Sequence, residues 1–199
     1  DPALRITPLL GETAAFLPGI SLPLAPFCGA LGVAPAGAGP HSTIPPAEFG
    51  GNMDTRHLTA GATLFLPVFA PGGRFSMGDG HAAQGDGEVC GTAIETPMRA
   101  IVRLSVRKGL RITAPEFVTP GPRSATSAAA YATDGVAPDL MTATRDAVRR
   151  MIEYLGRDHA MSPIDAYLLC SVAVDVKISE VVDAPNWIVT AYCPLSIFD

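Results

Sequence analysis

Lysine is scarce in this chain, and several other features are missing with it. Of 14 basic residues only Lys108 and Lys177 are lysines, and the formal net charge is −5. No basic stripe appears, so the electrostatic footprint of a nucleic-acid binder is lacking. Nothing reads as a basic amphipathic membrane helix. The longest apolar runs, such as Leu64 to Ala70, are far too short to span a bilayer. There is no CxxC pair. Cys28, Cys90, Cys170 and Cys193 are widely spaced and no secretory signal is present, which excludes a disulfide framework and points to free thiols in a cytoplasmic core. An initiator Met is also missing: Asp1 and Pro2 open the sequence, as in a processed product or a piece of something longer.

What the chain does have is apolar mass and turn residues. Its 199 residues suffice for one good core, or for two small ones sharing an interface. Apolar residues make up 48% and charged ones 17%, which places it among well-buried globular chains. Twenty Gly and nineteen Pro call for many turns and extended segments.

The first 46 residues are cut by Pro and Gly into short apolar pieces, read as extended segments and loops. "GATLFLPVFA" (61–70) reads as a strand with Pro67 at an edge or bulge. In "RAIVRLSVRKG", Ile101, Arg103 and Ser105 alternate with Val102, Leu104 and Val106, the pattern of a half-buried strand with one wet face. "LRITAPEFVTP" suggests another strand, and "SATSAAAYAT" (124–133) a mobile loop. After about residue 135 the period becomes helical. Apolar positions from Leu140 to Leu155 share a face, with Pro138 and Asp139 at the start and Gly156 at the stop. A second helix is expected from Ser162 as cap and Pro163 at its first position to about residue 171. "VAVDVKISEVV" and "NWIVTAYCP" return to strand. The expected fold is mainly β, with a β-rich body over 1–134, an α+β portion over 135–199, and helices near 138–156 and 162–171.

One stretch reads as a site. "GDGHAAQGDGEVCGTAIE" (78–95) packs two Asp, two Glu and a His among glycines. Asp79 and His81 stand two apart, so an extended backbone sets both on one face; Asp86 and Glu88 repeat the spacing. Upstream, "FGGNMDTRHL" offers Asn52, Asp54 and His57 after a double glycine, and the two clusters are separated by one expected strand. Asp with His favours a divalent cation such as zinc, whereas an all-oxygen set would suit calcium. The EF-hand loop is excluded, because its acidic positions and turn glycine do not line up. These residues give Asp54, Asp79 and His81 as metal ligands, and Glu88, Glu95 and Asp86 as proton carriers. Asn52, Gly51 and Gln84 are the expected substrate contacts. Turn chemistry alone also produces Asp-Gly pairs. His57 and His159 read as structural, and Cys90 as an inert thiol with no lysine near it in sequence.

Four segments carry more. "PFCGALGVAP" (26–35), "GGNMDTRHL" (50–58), "LPVFAPGGRFSMGDGHAAQGDGEVCGTAIE" (66–95) and "SPIDAYLLCSVAVDVKISEVVD" (162–183) resemble, in order and spacing, the acetamidase/formamidase family. The resemblance implies hydrolysis of short linear amides to a carboxylate and ammonia, a jelly-roll-like β-sandwich with an α+β portion, and a divalent metal, zinc or calcium. It also implies that this chain corresponds to the C-terminal two-thirds of a typical member. The expected partners are then an amide substrate, a missing N-terminal fragment or companion chain, and further copies in a homo-oligomer. Two other readings stay open: nucleophilic catalysis by Cys28 or Cys90, and a non-catalytic β-sandwich with a structural calcium.

Overall fold

The computed structural model describes residues 4–121 and 129–198. Among them the chain is mainly β, in three antiparallel sheets, with two α-helices. A small N-terminal sheet is formed by β1 (Leu9–Leu10), β2 (Thr13–Leu17) and β3 (Ile20–Pro23). The second sheet has β4 (Phe27–Gly32) at its centre, flanked by β5 (Gly50–Asn52) and β7 (Ser76–His81). The third contains β6 (Thr63–Phe65), β8 (Glu116–Val118), β9 (Ala130–Ala137), β10 (Asp175–Glu180) and β11 (Trp187–Pro194), in the order β10-β11-β9-β8-β6. This five-stranded sheet draws its strands from both sides of residue 134.

The period of two in β9 and β11 divides the interior. Odd-numbered Tyr131, Val189, Ala191 and Cys193 face α1 (Leu140–His159), which buries Ala143, Ala147, Met151, Tyr154 and Leu155 against them. Even-numbered Ala130, Ala132, Ile188 and Tyr192 pack with Phe117, Leu58 and Met53 on the opposite face. Met53 is thereby fully buried, and the chain that follows it is fixed in place. Burying a side chain of this size is worth roughly 1.5–3 kcal/mol. Gly135 lets the helix approach closely: a Cβ there would lie 1.8 Å from the Ala143 carbonyl oxygen. At its far end, α1 is tied to the sheet by Arg157, whose Nη2 donates to Glu116 Oε2 at 2.9 Å beside the Tyr131 hydroxyl.

Both helices start as their caps dictate. Asp139 accepts from the Thr142 N–H, and Ser162 accepts from the Asp165 N–H ahead of α2 (Pro163–Ala173). The stop of α1 differs from expectation. The helix runs through Gly156 to His159 and closes on Ala160 in the left-handed region, because Leu155 and Tyr154 are buried and their packing outweighs a glycine's preference to end a helix.

Three local readings are corrected. Over 61–70 only Thr63–Phe65 pair as strand, since Pro67 removes a ladder donor just beyond. Of the loop expected over 124–133, only Ala129 is described outside a strand, while Ala130–Thr133 lie in buried β9; residues 124–128 fall outside the described residues. The strand expected around 101–107 is not paired, and residues 97–109 are all exposed. Among the described residues, no helix is long and apolar enough to cross a membrane.

Candidate active site and metal centre

Strand β4 is the floor of the site. Its partner β7 pairs Phe27 with His81, Cys28 with Gly80 and Ala30 with Gly78, which sets Gly29 across from Asp79. On the other side Ala30 pairs with Asn52, after which the chain folds back so that the N–H groups of Met53 and Asp54 both donate to the Gly29 carbonyl, at 3.0 and 3.1 Å. Asp54 and Asp79 occupy the left-handed region (φ 42° and 61°), strained for a residue bearing a Cβ. Three functional groups converge over Gly29. A Cβ at that position would lie 2.3 Å from Asp54 Oδ1, 2.6 Å from Asp79 Oδ2 and 2.8 Å from His81 Cε1. Only glycine leaves that cradle open.

His81 is 1% exposed and packs edge-on against Phe27 at 5.0 Å. Its two ring nitrogens face different surroundings. Nδ1 is 2.9 Å from Gln84 Oε1, while the Gln84 amide nitrogen donates to the Asp54 carbonyl at 2.6 Å. The second bond fixes the orientation of the amide, so Gln84 Oε1 is an acceptor and Nδ1 carries the proton. In the neutral ring Nε2 then presents a lone pair. It points at Asp79 Oδ1, 3.1 Å away, and Glu95 Oε2, 3.3 Å away. Three acceptors facing one another need a second ring proton or a cation among them.

A second acidic set adjoins the first. Ligand atoms of Asp54, Glu88 and Asp183 lie within 4.8 Å of one another, as do those of Asp54, Asp79 and His81, and those of His81, Glu88 and Glu95. Asp183 comes from the β10–β11 connection. Glu180, the last residue of β10, is buried, and its Oε1 accepts from the N–H groups of Val182 and Asp183. Asp183 in turn accepts from Asn52 Nδ2 at 2.8 Å. Glu88 is placed by a parallel bridge between Gly87 and Glu180, with Gly87 N–H donating to Ser179 O and Val181 N–H to Gly87 O.

Crowding carboxylates in a buried site raises their proton affinity. Asp54 is pushed up to about 9, first by burial and then by the charges of Glu88, Asp79 and Asp183 around it. Burial pushes Glu88 up to about 7, with neighbouring carboxylates adding and His81 opposing. Asp54 Oδ1 is buried without a hydrogen-bond partner. An orphaned carboxylate oxygen, the Gly29 cradle and a ring nitrogen facing two carboxylates together fit a divalent cation with mixed nitrogen and oxygen ligands.

The structure thus brings together Asp54, Asp79, His81, Glu88, Glu95, Gln84 and Asn52. Two expected residues lie elsewhere. Asp86 is turned away to His57, whose Nε2 is 3.1 Å from Asp86 Oδ1, with Arg56 at 4.0 Å. Burial alone would raise the Asp86 carboxyl, but the His57 bond and the neighbouring cations hold it below the ordinary value. Gly51 pairs with Leu31 in the β4–β5 ladder and faces the Phe49 ring. Sequence reasoning missed Asp183, Glu180 and Gly29. Asp183 had no motif of its own, and its only signal was its place in the last of the four family-like segments. As for the cysteines, the Cys28 thiol is pushed up by burial and by the Asp79 charge, the reverse of what a thiolate nucleophile needs. Cys90 is exposed, and all four thiols are free.

The sequence matches the Acetamidase/Formamidase family over residues 36–199. A formamidase of Methylophilus methylotrophus is 33% identical over 172 residues, covering 79% of this chain and 42% of that protein. An acetamidase from Yersinia enterocolitica superposes with a TM-score of 0.83 at 32% identity, covering 97% of this chain and 56% of that one. For the acetamidase from Bacillus halodurans the TM-score is 0.83 at 30% identity, with 96% of this chain and 62% of that one covered. The chain therefore spans less than half the length of the formamidase it matches and under two thirds of these solved structures.

Proposed function

The chain belongs to the acetamidase/formamidase family, and on that premise we propose that it carries the catalytic centre of a hydrolase that cleaves short linear amides to a carboxylate and ammonia. The observation that carries this reading is the meeting of His81 Nε2 with Asp79 and Glu95, while Nδ1 is committed to Gln84.

Asp54, Asp79 and His81 are the proposed ligands of a divalent cation, with zinc favoured by the imidazole and calcium the alternative. When bound, such an ion would polarise the amide carbonyl and acidify water. The remaining roles belong to side chains of the chain itself. Glu88, with a carboxyl near neutrality, takes a proton from the attacking water as its oxygen bonds to the carbonyl carbon. The same proton passes to the nitrogen as the C–N bond breaks, so ammonia leaves and Glu88 is again a carboxylate. Glu95 is the second candidate for this shuttle; its Oε1 is steadied by the Ala93 N–H at 2.8 Å. Asn52, whose amide nitrogen donates to Asp183, keeps a second amide hydrogen, and its proposed role is to donate that to the developing oxyanion. Four free thiols suit a reducing, cytoplasmic setting.

The test is ammonia release from formamide, acetamide and longer amides, run beside elemental analysis of the purified protein. Asp79→Ala is expected to remove a large fraction of turnover and of bound metal without unfolding the chain; normal turnover would refute the ligand assignment. A second reading, a structural calcium without catalysis, draws on the all-oxygen set of Asp54, Glu88 and Asp183. Stoichiometric calcium with no amide turned over in the presence of the rest of the polypeptide would favour it.

A further inference from the structure

Residues 98–106 have the sequence of a β-strand and lack everything a strand needs. One face carries Met98, Val102, Leu104 and Val106, and the other Arg99, Ile101 and Arg103. Yet Ile101 is 96% exposed, Val106 83% and Leu104 67%. Among the described residues no backbone hydrogen bond involves positions 97–106. The segment is nevertheless anchored at both ends. Thr96 N–H donates to Gly80 O at 2.7 Å, the Met98 sulfur meets Cys28 Sγ at 4.0 Å, and the Arg107 guanidinium lies 5.7 Å over the Phe65 ring. A fixed, apolar, unpaired strand is a template for another strand, and folded proteins do not normally leave one open.

We propose that 98–106 is a docking strand that receives an extended, carboxylate-bearing segment, supplied by the polypeptide of the family fold that lies beyond the span of this chain. Charge identifies the occupant. Arg99, Arg103, Arg107, Lys108 and Arg111 put five positive charges into 99–111 with no acid among them, in a chain whose net charge is −5. Like charges directly opposite each other oppose strand pairing, and opposite charges favour it. A second copy is disfavoured on that ground. Parallel in-register pairing would set each arginine against its own counterpart, and antiparallel pairing about Arg103 would set Arg99 against Arg107. Length points the same way. The Yersinia and Bacillus acetamidases hold this chain's fold at a TM-score of 0.83, yet the chain covers only 56% and 62% of them, so related molecules contain further polypeptide able to supply a strand.

The test uses the full 199-residue chain and synthetic peptides alternating valine with glutamate, or valine with lysine, each with a neutral solubilising tail. Fluorescence anisotropy reads affinity, and amide hydrogen exchange reads location. The glutamate peptide is expected to bind about tenfold more tightly than the lysine peptide, because at Arg99 and Arg103 it exchanges two like-charge pairs for two opposite-charge pairs. Binding should slow exchange at 98–106 and weaken with salt. Charge reversal at Arg99 and Arg103 to Glu, both on the exposed segment and neither part of its anchors, should invert the preference while circular dichroism and cation binding stay unchanged. Equal affinity for both peptides would overturn the proposal. So would protection elsewhere in the chain, self-association through 98–106, or stronger binding of a single-stranded oligonucleotide than of the glutamate peptide.

Discussion

His81 Nδ1 and Gln84 Oε1 lie 2.9 Å apart, and the same Gln84 side chain reaches the Asp54 carbonyl. One amide therefore sets the tautomer of the imidazole and ties it to the loop bearing Asp54. Residues of this kind orient a metal ligand without touching the metal, and losing them typically costs 10–100-fold in affinity. Gln84→Leu should reduce zinc affinity by about that factor, measured by titration calorimetry, with little change in the melting temperature. Unchanged affinity would show that the ring needs no partner at Nδ1.

Gly29 should tolerate no side chain. In Gly29→Ala the added methyl would occupy the space between Asp54, Asp79 and His81. We expect cation binding to be lost while far-ultraviolet circular dichroism is preserved, because the β4 ladder needs only the backbone. Full metal occupancy by mass spectrometry would place the ion elsewhere.

Asp183 and Asp86 make a contrasting pair. Asp183→Asn removes charge beside Asp54 and Glu88 and should lower turnover by about 10²-fold, the scale of one proton-transfer or electrostatic contribution. Asp86→Asn loosens its bond to buried His57 and should cost about 1–3 kcal/mol of stability in denaturant melts, with metal content intact. The opposite ranking of the two in turnover would return Asp86 to the catalytic set.

Asp134 gives a pH signature away from the site. It is fully buried in β9, Thr190 donates to it at 2.6 Å, and burial pushes its carboxyl up to about 7 from the ordinary 3.8. The folded state thus holds a proton that the unfolded state has released. Its contribution is complete below about pH 4 and is lost as pH rises through 7. Asp134→Asn should flatten this slope, gaining on the parent by a few kcal/mol at pH 8.5 relative to pH 5. Parallel stability curves for the two proteins would mean that Asp134 ionises in place.

The limits of reading the sequence follow from the range of the forces involved. Asp79 and His81 were legible as a pair because a spacing of two in an extended segment fixes their common face, whatever surrounds it. Both helix starts were legible because Asp139 and Ser162 bond to N–H groups three residues on. Asp183 was not, since it meets Asn52 across 131 positions and no periodicity spans that distance. Asp86 and Glu88 share a spacing but not a destination: the chain turns between them, where Gly87 is stapled to β10, and one carboxylate goes to His57 while the other joins the cluster.

The sequence by itself determined the mainly β character, the two helices, the kinship, and which turns would carry the acids and the imidazole. All of these rest on local conformational preference or on the order of segments along the chain. Tertiary structure alone decided that Gly29 would be the cradle, that Asp183 would complete the acidic set, and that 98–106 would stand unpaired. Those outcomes depend on which strands meet and in what register, a choice made by the shared burial of Met53, Phe117 and Ile188 from three distant parts of the chain.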